Sequence, residues 1–424
     1  MRTNRAHWEL AEIYSTSAGD CAPTGRGCLR VWPGADCRQQ TRNRLAQLGR
    51  GFLRALMSAS LGLAILILPV AAAEAADVPF PWRVSEPGWR YEFPRDHFLH
   101  PEFKTEWWYF TGNLGASDGR RFGYQLTFFR QGIRPRSLVE KIASRFVIED
   151  FKFAHFAVSD LTGKAFHGTQ KTSRGAFGEA GFGDVGAERI AWIDNWTLRR
   201  HVDGFAISAS HDGAAIELTL EPKKPWVIHG ENGISQKAAG AGHASHYYSG
   251  TRLATRGTLR LEARAYSVNG ETWFDHEWAT NQLTPEQVGW DWFSLQFDDG
   301  SELMLYQMRL RTGGIDPVSS GTFIAADGRA THLRREDYEL VAEKFWLSSE
   351  SGARYPVAWR VRIPSLDLEA RTSTPLERQE LVLTPISYWE GAIDVEGKRA
   401  GRPISGRGYM ELTGYAGPIV GLAK

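Results

Sequence analysis

Alternation of apolar and polar residues, cut at short intervals by Asp-Gly and Asn-Gly pairs, governs this chain from Trp107 onward. Phe122–Phe129, Phe205–Ser210, Ala215–Leu220 and Thr258–Ala263 all carry the two-residue period. Between such runs stand Asp118-Gly119, Asp203-Gly204, Asp212-Gly213, Asn269-Gly270, Asp299-Gly300 and Asp327-Gly328. Side chains on a strand point alternately to its two faces, and these dipeptides tolerate the positive φ of tight hairpins. The pattern therefore predicts an all-β, antiparallel sandwich or barrel. One short helix is expected within Pro135–Ser144.

A weak internal repeat divides the chain. Glu106-Trp-Trp-Tyr-Phe-Thr-Gly112 leads through Asp118-Gly119 into a strand with Tyr124-Gln125 and closes on Arg130. Trp290-Asp-Trp-Phe-Ser-Leu295 leads through Asp299-Gly300 into a strand with Tyr306-Gln307 and closes on Arg309. Two related β-domains follow, expected at 77–282 and 283–424. Closing each sheet would remove its edges and create an interior for a ligand. Sixteen Trp residues are available to line that interior or to fill it.

The front of the chain reads as an export signal. Arg42, Arg44, Arg50 and Arg54 precede an apolar run, Leu56–Val70, and then Ala71-Ala-Ala-Glu-Ala-Ala76. That order is the layout of a secretory leader, and the run is shorter than the ~20 residues a spanning helix needs. Residues 42–76 are expected to be the signal peptide and residues 1–41 a non-native or disordered extension. The protein would then be periplasmic or secreted, and not an integral membrane protein after cleavage. All three cysteines (Cys21, Cys28, Cys37) precede the leader, at spacings that match no zinc or redox pattern. With a formal net charge of +1 and no basic block, nothing asks for nucleic acid.

Candidate chemistry concentrates on aromatic strands. Alternation sets Glu106 and Trp108 on one face and Trp107 and Tyr109 on the other. A Glu106 facing an apolar interior would have a raised pKa and serve as a proton donor; a rim carboxylate capped by Arg is the alternative. His97 and His100 read as loop residues at the cavity mouth. His155 is either a satisfied structural histidine or a cavity histidine that binds ligand. In Trp273-Phe-Asp-His-Glu-Trp278, parity separates Phe274, His276 and Trp278 from Trp273, Asp275 and Glu277, which disfavours a metal site because neighbouring ligands point apart. His276 between two aromatics is a candidate acid or base, with Trp108 and Trp278 expected beside it in one cavity. No Gly-x-Ser-x-Gly elbow, His-Glu-x-x-His pair or nucleotide fingerprint occurs.

Several motifs occur in order: Thr105–Gly112, His155–Asp160, Ser245-His-Tyr-Tyr-Ser249, Asp275-His-Glu-Trp278 and Gly289-Trp-Asp-Trp-Phe293. Together they resemble the lipocalin-like family that includes carotenoid 1,2-hydratase (hydroxyneurosporene synthase) and AttH-type secreted proteins. The resemblance covers residue 92 to the C-terminus and implies two consecutive lipocalin-like antiparallel β-barrel domains. It implies no cofactor and no metal. By motif position it points to Asp275, His276 and Glu106 as catalytic residues. Trp108, His155, Trp278, Trp292 and Tyr306 would contact the ligand.

Family hydratases add water to an isoprenoid alkene, whereas the AttH-type branch suggests handling of a lipid-like molecule, with an envelope ABC transporter as partner. Three readings stay open: an exported carrier of an apolar, lipid- or isoprenoid-like ligand, a cofactor-free hydratase or isomerase, and a structural or carbohydrate-contacting envelope module.

Overall fold

The computed structural model describes residues 82–144 and 146–418; the expected leader and the segment before it lie outside the described residues. The alternating runs form two antiparallel sheets. The first begins with β1 (Thr105–Ala116), β2 (Arg121–Gly132), β3 (Asp150–Asp160) and β4 (Ala165–Ser173). Short strands follow: β5 (Ala180–Phe182), β6 (Arg189–Ile193), β7 (Trp196–His201), β8 (Gly204–His211), β9 (Ala214–Pro222), β10 (Val227–Ile228) and β11 (Ser235–Gln236). Two long strands complete it, β12 (Ala244–Leu261) and β13 (Arg264–Ala279). Its order is β4-β3-β2-β1-β13-β12-β9-β8-β7-β6-β5, and β3 and β4 come round to meet β6, nearly closing a barrel.

The second sheet contains β14 (Gln287–Phe297), β15 (Glu302–Leu310), β16 (Ser320–Ile324), β17 (Ala330–Arg334) and β18 (Glu339–Leu347). It continues with β19 (Arg354–Ile363), β20 (Leu368–Ser373), β21 (Glu380–Leu381), β22 (Tyr388–Arg399) and β23 (Arg402–Leu412). Its order, β17-β16-β15-β14-β23-β22-β20-β19-β18, repeats that of the first sheet. In each, the opening strand lies between its hairpin partner and the last strand of its own sheet. The molecule thus consists of two consecutive lipocalin-like β-barrel domains. Among the described residues one α-helix is present, the short α1 (Arg136–Val139) in the excursion between β2 and β3.

Five of the six turn dipeptides mark hairpin reversals, four wholly between strands and Asp203-Gly204 at the start of β8. Asn269-Gly270 instead lies inside β13, where a Cβ on Gly270 would stand 2.0 Å from the carbonyl oxygen of Asn113 on β1. There glycine serves close approach, not reversal.

The barrel interior is full. Trp108, Phe110, Trp196, Phe205, Phe274 and Trp278 are all completely buried in one core. Phe110 stacks on Phe274 at 4.5 Å and Trp108 on Phe182 at 5.0 Å. The expectation that barrel closure would open a ligand space inside is therefore corrected: rings this large consume the interior volume. Space arises instead where the outer faces of the two sheets meet, β1 against β23 and β2 against β22. Gly123 on β2 permits that approach, because a Cβ there would come within 2.9 Å of the Ala392 Cβ and the Tyr409 hydroxyl.

Candidate active site

Register fixes which residues reach the space between the sheets. Tyr109 pairs with Asp275 across β1 and β13, and Ser249 pairs with Asp275 across β12 and β13. Parity then sends Trp273, Asp275 and Glu277 toward the second sheet, and Phe274, His276 and Trp278 into the filled barrel. The result is a pocket of about 310 Å³ between the domains. Its mouth has exposed Phe151, Thr172, Thr384 and Pro385, and its depth has buried Tyr247, Asp275, Trp292 and Tyr306. Trp107, Phe129, Trp290 and Met308 make the walls apolar, as a small-molecule site requires.

Three carboxyls in or against this space are raised by burial. Burial pushes Asp275 up to about 7, although Ser249, Tyr247 and Trp273 donate to its oxygens and oppose the shift. The Tyr247 hydroxyl donates at 2.8 Å and the Trp273 indole at 2.6 Å. Glu411, on the second sheet, is raised to about 8 by burial, opposed by the Trp290 indole. Glu390 is raised by burial and by Glu411, and accepts the Tyr109 hydroxyl. Lys237 supplies the opposite charge, with its ammonium 3.1 Å from Glu277 and above the Tyr306 ring at 4.3 Å. A carboxylic acid that titrates near 7 in an apolar cavity can both give and take a proton at physiological pH.

Behind Asp275 runs a chain of hydroxyl and imidazole groups. Ser249 donates to Asp275 and lies 2.6 Å from Nε2 of His229, whose Nδ1 lies 2.8 Å from the Thr322 hydroxyl. Burial and the Lys237 charge hold His229 neutral. With Nε2 protonated, His229 donates to Ser249 and Ser249 to Asp275, which fixes the carboxylate.

A second polar cluster is enclosed in the barrel. Glu106 Oε1 lies 2.7 Å from His100 Nδ1 and 2.9 Å from His276 Nε2, and all three side chains are buried. Burial works to raise the Glu106 pKa, but His100 and His276 outweigh it and hold the group at about 2. The expected upward shift and proton-donor form of Glu106 are thus reversed, and its partners are histidines in place of an arginine cap. Asp96 completes the cluster, its backbone carbonyl 2.9 Å from His276 Nδ1 and its carboxylate 3.3 Å from His100 Nε2. The ligand atoms of His100, Glu106 and His276 lie within 4.8 Å of one another and are, among the described residues, the set that could hold a metal ion. Their separations are those of hydrogen bonds; ligands about 2.0–2.2 Å from zinc would stand farther apart. The arrangement fits shared protons, so no metal chemistry is derived from it.

The residues nominated from the sequence divide by face. Asp275, His155, Trp292 and Tyr306 line the pocket. Trp108, His276, Trp278 and Glu106 do not; Trp108 stacks on His276 at 4.6 Å, and Trp278 on His100 at 3.8 Å, inside the barrel. The expectation that Trp108, His276 and Trp278 share a cavity is corrected accordingly. His97 and His100, expected at a mouth, are both buried. His155 is bound to the Tyr388 hydroxyl at 2.7 Å, and burial lowers its pKa to about 3, so it is neutral. Lys237, Tyr247, Glu277 and Glu411 were not singled out. Parity with Asp275 and the quoted Ser245–Ser249 motif pointed to two of them, whereas Lys237 and Glu411 reach the pocket only through tertiary structure.

A family model described as AttH-like matches residues 84–415. Among solved structures, a protein assigned as AttH from Nitrosomonas europaea is 32% identical, with a TM-score of 0.70, over 78% of this chain and 99% of that one. Kievitone hydratase from Nectria haematococca shares the fold at 14% identity, with a TM-score of 0.60, over 80% of this chain and 99% of its own. The dehydratase AsqC of Emericella nidulans is 26% identical over 230 residues, which are 52% of this chain and 62% of that protein.

Proposed function

The chain belongs to the AttH-like family, and from that premise we propose that it is an exported, cofactor-free hydro-lyase acting on an apolar, isoprenoid- or lipid-like molecule in the pocket between its domains. The observation that carries the reading is Asp275, a carboxyl titrating at about 7 on the wall of an aromatic cavity. Two relatives with the same fold or partial sequence similarity bear hydratase and dehydratase names, and water addition and removal both need such a group.

In the hydration direction, protonated Asp275 gives its proton to one alkene carbon. A C–H bond forms as the π bond breaks, and positive charge develops on the other carbon. The faces of Trp107, Tyr109 and Trp292 stabilise that charge. Water then forms the C–O bond and returns a proton to the Asp275 carboxylate, so the acid is regenerated without a cofactor. Dehydration is the same sequence reversed. Tyr247 orients the carboxyl, and Trp292 in turn donates to the Tyr247 hydroxyl at 3.2 Å.

The test is incubation of the purified protein with lipid extract of its own host in ¹⁸O-labelled water, followed by mass spectrometry. Wild type is expected to label a lipid by net water addition or exchange, and Asp275→Asn is expected to lose that labelling. Equal labelling by both proteins would remove Asp275 from the chemistry.

A further inference from the structure

The rim of the pocket carries apolar side chains that the fold does not bury. Of the exposed large hydrophobic residues, Ile133, Leu138, Ile142 and Phe146 fall in the excursion between β2 and β3 and Phe151 at the start of β3, with Phe146 78% exposed. Phe177 is exposed between β4 and β5, and Val185 between β5 and β6, the latter loop joined to the excursion by an Arg136–Asp184 ion pair at 2.9 Å. A run of such residues in water is unfavourable and marks a contact surface. Its base is the pocket itself, because Gln131, Phe151 and Phe153 at the two ends of the excursion line the cavity.

Charge selects the partner. Residues 133–149 contain Arg134, Arg136, Lys141 and Arg145 against Glu140 and Glu149, and Arg136 is already paired with Glu149 at 2.9 Å. Arg134 and Lys141 are exposed with no ion-pair partner among the described residues. Apolar side chains interspersed with unpaired cations suit an interface of acyl chains below anionic headgroups.

We propose that this excursion, with the Val185 loop beside it, seats the pocket mouth on a bilayer containing anionic lipid, so that an apolar ligand passes between membrane and cavity without crossing water. The inference rests on the pocket being the ligand site, as proposed above. Phe146 and Ile142 enter the acyl boundary, Arg134 and Lys141 remain at the headgroups, and Phe151 bridges the bilayer to the cavity wall.

Hydrogen exchange resolved by peptide tests this on the whole chain, because protection is assigned to a segment whatever the rest of the protein does. With phosphatidylcholine vesicles containing phosphatidylglycerol, exchange in peptides spanning 133–151 is expected to slow by about an order of magnitude. Pure phosphatidylcholine vesicles should protect less. In the double variants Phe146→Ser/Ile142→Ser and Arg134→Glu/Lys141→Glu, which alter only exposed side chains, the protection should disappear while the pocket strands exchange as in wild type. No protection in wild type, or protection unchanged in both variants, would overturn the proposal. So would protection that appears without vesicles and grows with protein concentration, which would assign the surface to a second copy. Failure of the pocket reading would appear separately, as labelling activity insensitive to Asp275→Asn.

Discussion

Replacing Asp275 by Asn removes one titrating proton while nearly preserving side-chain shape, and its effect on stability can be worked from the pKa. In the folded protein the group titrates at about 7 against 3.8 as its ordinary value. At 1.36 kcal/mol per unit, charging it inside the pocket costs ~4 kcal/mol. The raised value means that the folded state holds a proton which the unfolded state has released. That contribution to stability is complete below pH 3.8, declines as pH rises, and is gone above about 7. The carboxamide of the Asp275→Asn variant carries no such dependence, and its oxygen still accepts from Ser249 and Trp273. Between pH 5 and pH 8 the variant should therefore gain about 3 kcal/mol relative to wild type. Urea unfolding followed by tryptophan fluorescence across that range measures the difference. Parallel pH profiles would refute the reasoning, since Asp275 would then be ionised already at pH 5.

Other consequences follow from the same geometry. Turnover should fall as pH rises through about 7, because the acid form of Asp275 is the donor; His229→Leu, which weakens the Ser249 hydrogen bond to the carboxylate, should move that limb upward by up to ~1 unit in a pH–rate profile. Glu106→Gln removes the buried carboxylate between His100 and His276, leaving His100 with Asp96 alone as counter-charge, and should lower stability by ~3–5 kcal/mol in denaturant titration. Trp108→Ala empties a filled barrel and should destabilise by ~3–5 kcal/mol in the same titration. Trp292→Ala enlarges the pocket instead, so its larger effect should be on which lipids become labelled.

The fold was legible because its signals are local. Parity along β1, β2 and β13 and five of the Asp-Gly turns act within a few residues, and the repeated aromatic hairpin reappears as a repeated strand order. The parity rule also separated Asp275 from His276 correctly. What it could not decide is which face holds the ligand, because both faces are aromatic: Trp107 and Trp273 outside, Trp108 and Phe274 inside. A strand buried on both sides does not mark its core by composition. The repeat misled by one residue for a related reason. Tyr124 faces the barrel core and Tyr306 the pocket, so Gln125 is the counterpart of Tyr306; a slip of one reverses every side chain. The His100–Glu106–His276 cluster and the Lys237 and Glu411 contributions depend on chain segments far apart, and no spacing in the sequence reports them.

The central claim is that Asp275 carries an exchangeable proton in the pocket at neutral pH, and carbon-13 NMR of aspartate side-chain carboxyls tests it most directly. One resonance, absent in Asp275→Asn, is predicted to titrate with a midpoint of about 7. If every aspartate resonance finishes titrating below about pH 5, as ordinary carboxylates do, the pocket holds no such acid.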